Sequence, residues 1–165
     1  MKIKTKAEEI VEILGLTPLG QEGGMFLKNY GGSRDARGCE IYSSIYYLLT
    51  RNSFSHMHML KTDEIYHFYM GDSVELLLLY PDGRSEIKIL GNGLAGGERP
   101  QILAPAGVWQ GSRLVKGGEY SLLGTTMAPA YLEEEYIHGD CETLCRLYPD
   151  VSEKIRQRCG EAVDL

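Results

Sequence analysis

Two histidines and a glutamate lie close together in the sequence and could act on one small molecule. His56 and His58 are two residues apart in an apolar run, so in a β-strand both imidazole rings point to the same face. Glu64 opens the next apolar run after a short turn, which allows the two strands to lie side by side. Two imidazoles and a carboxylate can occupy one face of an octahedral metal ion and leave the other positions open. The pattern therefore predicts a metal site or, without a metal, a polar pocket that binds a ligand through hydrogen bonds.

Four further residues are candidates for the same pocket. Gln110 follows a proline- and glycine-containing turn at residues 105–109, and a buried amide needs hydrogen-bond partners. Trp109 could stack on a sugar or an aromatic ligand, although a single tryptophan is more often a core residue. Gln101 could line the mouth of the pocket. Glu22 precedes two glycines, which permit a close approach of the backbone and could fold Glu22 over the mouth.

Short strands separated by turns make up the middle of the chain. Runs rich in Ile, Tyr, Leu and Val alternate with turn residues such as the Pro-Asp-Gly of residues 81–83. Many antiparallel strands without intervening helices indicate a sandwich or barrel. The predicted strands cover residues 25–30, 40–49, 53–60, 65–70, 74–80, 85–90, 101–104, 110–114 and 120–127. His67 is three residues after Glu64, so strand alternation places it on the opposite face, as a packing or interface residue.

Helices are predicted only at the two ends of the chain. Residues 6–14 carry apolar side chains at helical spacing, and Thr5 with Glu8 forms a capping-box pattern before them. Two short helices are predicted at 141–148 and 151–159, on either side of Pro149. Nothing marks an internal linker or repeat, so we expect one domain over residues 1–165 with a barrel core at about 25–127.

The residues of the candidate site resemble the two sequence motifs of the cupin superfamily. The first motif is His-x-His, a short gap, Glu, six residues and Gly, matched by His56, His58, Glu64 and Gly71. The gap between His58 and Glu64 holds five residues here, whereas three or four are usual. The second motif, Pro-x-Gly-x-x-His, is matched by Pro105-Ala106-Gly107-Val108-Trp109-Gln110, with Gln110 in place of the fourth metal ligand.

Within that superfamily, the chain resembles the DUF985 or cupin-5 branch over most of its length. The resemblance implies an all-β fold, the cupin double-stranded β-helix or jelly-roll barrel, which is commonly dimeric and has no settled activity. Relatives in shape include sugar epimerases and isomerases. The matching residues are Glu22-Gly23-Gly24, Ser43-Ser44-Ile45-Tyr46, Phe54-Ser55, His58, Asp63-Glu64, His67-Phe68-Tyr69, Gly71-Asp72, Arg99-Pro100-Gln101, Pro105 to Gln110 and Ala128-Pro129.

Two classes of function remain open from the sequence. The first is an enzyme, isomerase- or epimerase-like, that acts on a carbohydrate-type or other small polar molecule. A divalent metal (Fe, Mn, Ni or Zn) held by His56, His58, Glu64 and Gln110 would then act as a Lewis acid. Without a metal, Glu64 and His58 would be the catalytic acid–base pair. The second class is a non-catalytic protein that binds a metabolite in the same pocket.

Composition and charge restrict the cellular location and the binding partners that we expect. The formal net charge is −6 and no run of Lys and Arg stands out, which disfavours nucleic acid as a partner. No stretch is apolar enough to span a membrane, and the acidic residues near the start of the chain are unlike a secretory signal. The four cysteines form no C-x-x-C pair, so free thiols in a reducing cytoplasm are expected.

A homodimer is expected for two reasons. Residues 74–80, Val-Glu-Leu-Leu-Leu-Leu-Tyr, are apolar on both faces of one strand, and only one of those faces can fill the barrel. A partner subunit or the terminal helices could cover the other face, and we favour the partner. The resemblance to a commonly dimeric family points the same way.

Overall fold

Two antiparallel β-sheets face each other in the computed structural model, which describes residues 4–160. The larger sheet has the strand order β1-β2-β3-β10-β5-β8 and the smaller has the order β11-β4-β9-β6-β7. The strands are β1 (Thr17–Pro18), β2 (Met25–Tyr30), β3 (Ser43–Thr50), β4 (Ser55–Met59), β5 (Glu64–Gly71), β6 (Val74–Leu79), β7 (Ser85–Leu90), β8 (Gln101–Ala104), β9 (Trp109–Leu114), β10 (Tyr120–Met127) and β11 (Ile137–His138). The helices are α1 (Lys6–Leu14), α2 (Cys141–Leu147) and α3 (Ser152–Arg156).

The prediction of an all-β core with helices at its ends is confirmed. All residues from 25 to 127 are described, and the only helical residues among them form a single 3-10 turn at Leu94–Gly96. The short edge strands β1 and β11 were not predicted, because two-residue strands leave no periodic pattern in the sequence. Both add to the edge of a sheet, and β11 pairs with the strand that carries His58.

Helix α1 packs on the outside of the larger sheet. Its capping box forms as predicted, with Glu8 and Thr5 exchanging hydrogen bonds between side chain and backbone. Gly15 ends the helix in the left-handed conformation, at a φ of 68°. The apolar face, including Ala7 and Ile10, packs against Leu48 and Leu122 of the sheet. One end of this sheet is thereby shielded from solvent.

The core between the sheets follows strand alternation. In β6, Leu76 and Leu78 point inward and pack with residues from both sheets, among them Tyr47, Leu123 and Ile102. Each of these side chains is nearly or completely buried. Removing such surface from water contributes roughly 25 cal/mol per Å² of apolar area, and this burial supplies most of the favourable free energy of folding.

The outer face of β6 is covered within the same chain. Leu77 and Leu79 are fully buried against a cluster from the C-terminal helices that includes Leu144, Tyr148 and Ile155. A partner subunit is therefore not needed to cover this strand, and that ground for expecting a dimer was wrong. The homodimer itself stays a prediction that rests on the family resemblance.

A buried arginine ties the C-terminal segment to the smaller sheet. Arg158 has none of its surface exposed, and its guanidinium donates to the main-chain oxygens of Gly111, Lys154 and Glu75 at 2.9–3.1 Å. It also forms an ion pair with the Glu75 carboxylate at 2.7 Å. The main-chain oxygen of Arg158 accepts from the N–H of Met57. Gly111 and Met57 are the neighbours of Gln110 and His58, so this contact supports the candidate site from the outside.

Two further predictions concern the cysteines and membrane-spanning helices. Cys39, Cys141, Cys145 and Cys159 are all free thiols, as expected. Over residues 4–160, no helix is long and apolar enough to cross a membrane.

Candidate functional site

Three of the predicted residues meet in the interior between the two sheets. His58 of β4 lies directly opposite Gln110 of β9, and Glu64 is the first residue of β5 in the facing sheet. The Gln110 amide N–H donates to the Glu64 carboxylate at 2.9 Å. The exposed fractions of His58, Gln110 and Glu64 are only 1%, 2% and 7%. A carboxylate at such a depth needs polar partners, and the hydroxyl groups of Thr125 and Tyr66 also act on Glu64 electrostatically.

Glu22 enters the same site from the loop between β1 and β2. Its carboxylate accepts from the Ser55 hydroxyl at 3.1 Å and lies 4.0 Å from Nε2 of His58. The two following glycines allow this approach, as the sequence suggested. Gly24 has a φ of 77°, and a Cβ on it would lie 2.8 Å from the Tyr47 ring. Only glycine therefore fits at this point of the loop.

The two carboxyl groups influence each other's protonation. Burial raises the pKa of Glu22 to about 7, and the Ser55 hydrogen bond opposes that shift. Burial and the charge of Glu22 raise the pKa of Glu64, against the effects of His58, Thr125 and Gln110. Like charges in a poorly solvated space do not both ionise easily, so ionisation of one group opposes ionisation of the other.

The imidazole of His58 is neutral and has one free nitrogen. Burial lowers the pKa of His58, more than the nearby Glu64 and a main-chain hydrogen bond raise it. Nδ1–H donates to the main-chain oxygen of His56 at 2.7 Å. This bond fixes the tautomer, so Nε2 carries a lone pair. Nε2 is buried without a hydrogen-bond partner, which marks it as an acceptor available to a ligand.

An internal cavity of about 110 Å³ adjoins the two carboxylates. Its wall is mostly apolar, and a wider groove outside it is lined by Glu22, Tyr131 and Tyr136, among others. Ligand sites in proteins usually have volumes of about 300–1,000 Å³, so this cavity suits a very small molecule. The lining residues are Leu19, Glu22, Phe26, Lys28, Ser43, Ile45, Tyr47, Leu60, Glu64, Thr125, Met127 and Tyr131.

His56 does not join the carboxylates, contrary to the prediction that it shares a face with His58. A bulge interrupts β4, because Ser55 pairs with Ser112 while His58 pairs with Gln110. The extra residue breaks the alternation on which the prediction rested. The His56 ring instead stacks on His138 of β11 at a centroid distance of 3.8 Å.

Two other pocket predictions were wrong. Trp109 precedes Gln110 on the same strand and so faces outward, where it packs against the cluster of the C-terminal helices. Gln101 is exposed on the outside of the larger sheet and hydrogen-bonds to His67 at 3.2 Å. His67 lies on that outer face, as predicted, and also hydrogen-bonds to Thr126.

The predicted metal ligands do not form a ligand set. The ring of His56 lies elsewhere, and Gln110 directs an N–H donor, not its oxygen, toward Glu64. Over residues 4–160, no group of three or more His, Cys, Asp or Glu side chains is arranged to hold a metal ion. The combination of His56, His58, Glu64 and Gln110 therefore does not fit a divalent metal in this arrangement.

Several residues of the site were missed by sequence reasoning. Tyr136 stacks on the His58 ring at a centroid distance of 5.1 Å, and its hydroxyl lies 3.1 Å from Nδ1 of His138. Tyr131 closes one side of the cavity. Both lie after the last predicted strand, in a segment without a periodic pattern. The alternation of Tyr136 and His138 was the available signal, since residues two apart in a strand share a face.

The fold and this interior site define the class of protein. Two facing antiparallel sheets, with polar groups from both sheets gathered inside, are the arrangement of a cupin jelly roll. The family model described as "Cupin superfamily (DUF985)" matches residues 8–137. The chain therefore belongs to the cupin-5 (DUF985) family.

Solved structures support the assignment. A protein from Shewanella oneidensis is 30% identical, with a TM-score of 0.87 over 96% of this chain and 99% of that one. A hypothetical protein from Leishmania major is 26% identical, with a TM-score of 0.82 over 95% and 100% of the two chains. Oxalate decarboxylase of Bacillus subtilis, which has Mn(II) centres, is 15% identical with a TM-score of 0.55, over 90% of this chain and 38% of the other. That last likeness concerns the fold alone. Among curated proteins, none matches the sequence.

Proposed function

We propose that the protein is an enzyme that moves a proton on a small polar molecule, in the manner of an isomerase or epimerase. The observation that carries this proposal is the pairing of two interior carboxyl groups, Glu22 and Glu64, beside the free nitrogen of a neutral His58. Groups that titrate near the working pH are the ones suited to general acid–base catalysis. No step of the proposal uses a metal.

The surroundings of the two carboxyl groups assign them different roles. Gln110, Thr125 and His58 each lower the pKa of Glu64, whereas only the Ser55 hydroxyl lowers that of Glu22. Hydrogen bonds to a carboxylate favour its ionised form, so Glu64 carries the negative charge more readily and acts as the base. Glu22, with a pKa of about 7, holds the proton and acts as the acid. Environments that separate two carboxyl groups in this way are a known basis for acid–base assignments.

His58 provides a second basic group. Its Nε2 lies 4.0 Å from Glu22, which is beyond hydrogen-bond reach, so a proton can pass between them through one bound molecule. Because the tautomer is fixed by the main-chain oxygen of His56, the lone pair keeps its direction throughout the reaction. Tyr136 covers the ring and limits its movement.

The alternative function is metabolite binding without catalysis. The small size and mostly apolar wall of the cavity favour this alternative, because they would hold a ligand as well as they would position a substrate. Both functions place the ligand in the same cavity.

Deuterium exchange distinguishes the two functions without knowledge of the substrate. The purified protein is incubated in D₂O with a panel of small hydroxy, keto and amino compounds. The mass of each compound is then measured by mass spectrometry. A proton-transfer enzyme incorporates solvent deuterium at a C–H position of at least one compound, because its carboxyl and imidazole protons exchange with water. A compound that binds tightly in the cavity and gains no deuterium would instead support the binding protein.

A further inference from the structure

Apart from the proton that Glu22 holds, the polar atoms that remain free around the two carboxyl groups are acceptors. Nε2 of His58 carries a lone pair and has no partner. Gln110 uses its N–H group on Glu64, which leaves its own oxygen buried and unpartnered. The carboxylate oxygens of Glu22 and Glu64 add further acceptors. A ligand that satisfies this site must therefore bring several hydrogen-bond donors on one small group.

The negative charge of the site is also uncompensated by any lysine or arginine among the residues that the structure describes. Over residues 4–160, neither Glu22 nor Glu64 forms an ion pair with a lysine or arginine. Lys28 lines the same cavity, but its ammonium group lies 2.6 Å from the Glu40 carboxylate. A carboxylate removed from water without a counter-charge is costly, and a cationic ligand would offset that cost.

We infer that the ligand of this cavity carries a primary ammonium group, which donates its N–H groups to the Glu22 and Glu64 carboxylates that line the cavity and to Nε2 of His58, which lies 4.0 Å from Glu22. This inference rests on the proposal that the cavity is the substrate site, and it names the substrate class as a small amine. An ammonium group has three donors and one positive charge, which match the free acceptors and the charge of the site.

The spacing of the acceptors supports an ammonium group. Nε2 of His58 and the Glu22 oxygen are 4.0 Å apart. Two acceptors at this separation can each take an N–H from one nitrogen at ordinary hydrogen-bond lengths of about 2.9 Å.

The walls of the cavity indicate what the rest of the ligand is like. Aromatic rings of Phe26, Tyr47 and Tyr131, with the aliphatic side chains of Leu19 and Ile45, line the space next to the carboxylates. Such walls suit a short hydrocarbon body, and aromatic rings near the ammonium group would attract it further. A carboxylate or phosphate ligand would be repelled by Glu22 and Glu64.

Calorimetry with three ligands of the same shape tests the inference. Isobutylammonium, isobutanol and isobutyrate are titrated into the full-length protein at pH 7.5 in the presence of EDTA. We expect isobutylammonium to bind at least tenfold more tightly than the other two. Binding should release a proton from Glu22, which appears as a dependence of the heat on the ionisation enthalpy of the buffer.

Variants locate the binding. Glu22→Gln should weaken isobutylammonium at least tenfold and abolish the proton release, while isobutanol is little affected. Glu119→Gln is the control, since Glu119 is exposed and pairs only with Arg51 at the surface. Equal binding of the three compounds, or tighter binding of isobutyrate, would overturn the inference. So would an ammonium affinity that disappears in EDTA and returns with a divalent metal.

The calorimetry and the exchange assay together distinguish a failure of the amine inference from a failure of the proposed function. If isobutylammonium shows no preference while a neutral compound gains deuterium in the exchange assay, the amine inference fails and proton transfer stands. If isobutylammonium binds as expected while every compound of the panel stays unlabelled, the proton-transfer proposal fails and the amine inference stands.

Discussion

Replacing Glu64 with glutamine is expected to slow deuterium incorporation by roughly 10²- to 10⁴-fold, the usual contribution of a general acid or base. Glutamine keeps the shape of the side chain, and its carbonyl oxygen can still accept from Gln110. The substitution removes the negative charge and the ability to take up and release a proton. The measurement is the rate of label uptake in D₂O for the compound identified with the wild-type protein.

The melting temperature of Glu64→Gln shows whether a slower rate comes from lost catalysis or from unfolding. Burial raises the pKa of Glu64, so the folded state becomes less stable as the pH rises and the group ionises. Glutamine removes this effect, and the variant should melt at the same temperature as the wild type, or higher, at pH 8. Glu119→Gln should change neither the rate of deuterium uptake nor the melting temperature. A rate within threefold of the wild type would refute the assignment of Glu64 as a catalytic residue.

Replacing Arg158 with alanine is expected to lower the free energy of unfolding by about 3–5 kcal/mol, as when one partner of a buried ion pair is removed. The guanidinium is fully buried and donates to three main-chain oxygens besides the Glu75 carboxylate. Alanine would leave those oxygens without donors and a cavity beneath the C-terminal helices. Urea denaturation followed by circular dichroism gives the value.

Arg113→Ala is the matched control. Arg113 lies on β9 of the smaller sheet, which Arg158 contacts, but its guanidinium makes one long hydrogen bond, of 3.4 Å, to the main-chain oxygen of Gln157. Its removal should cost about 1 kcal/mol or less. Arg158→Lys keeps the charge and loses the fork of donors, so it should fall between the two. Equal stability of Arg158→Ala and Arg113→Ala would show that the buried arginine does not hold the helices in place.

Strand alternation allowed much of the fold to be predicted. The pattern of residues 74–80 indicated a strand that is apolar on both faces, and the structure has Leu76 and Leu78 on one face and Leu77 and Leu79 on the other. It did not show what covers the outer face. The covering helices lie more than 60 residues further along the chain, and no local pattern reports such a contact.

The predictions for His56 and Trp109 were wrong for two different reasons. The bulge in β4 added a residue between Ser55 and His58 and so turned His56 away from the carboxylates. A bulge is a property of strand pairing, so the sequence of β4 alone does not reveal it. Trp109 was a different kind of error, because alternation with the neighbouring Gln110 already implied an outward position.

Only one member of the proposed acid–base pair, Glu64, could be predicted firmly from the sequence. Glu64 was singled out by its position at the start of a strand, and Glu22 only by the glycines that follow it. Their proximity depends on the loop between β1 and β2, which is held by the hydrogen bonds of Glu22 to Ser55 and of Tyr47 to Gly23. These contacts join residues more than 20 positions apart, and loop paths of this kind leave little trace in a single sequence.

The protonation of the carboxyl pair is the most direct test of the proposed site. Carbon-13 NMR of protein labelled at the glutamate carboxyl carbon gives the titration midpoint of each glutamate, and the signal lost in Glu22→Gln identifies Glu22. We expect Glu22 to titrate near pH 7, because burial raises its pKa to about 7. In the Glu22→Gln variant the midpoint of Glu64 should fall, since the charge of Glu22 contributes to its raised pKa. A midpoint for Glu22 near 4.5, the ordinary value for glutamate, with Glu64 unmoved in the variant, would contradict an acid–base pair at this site.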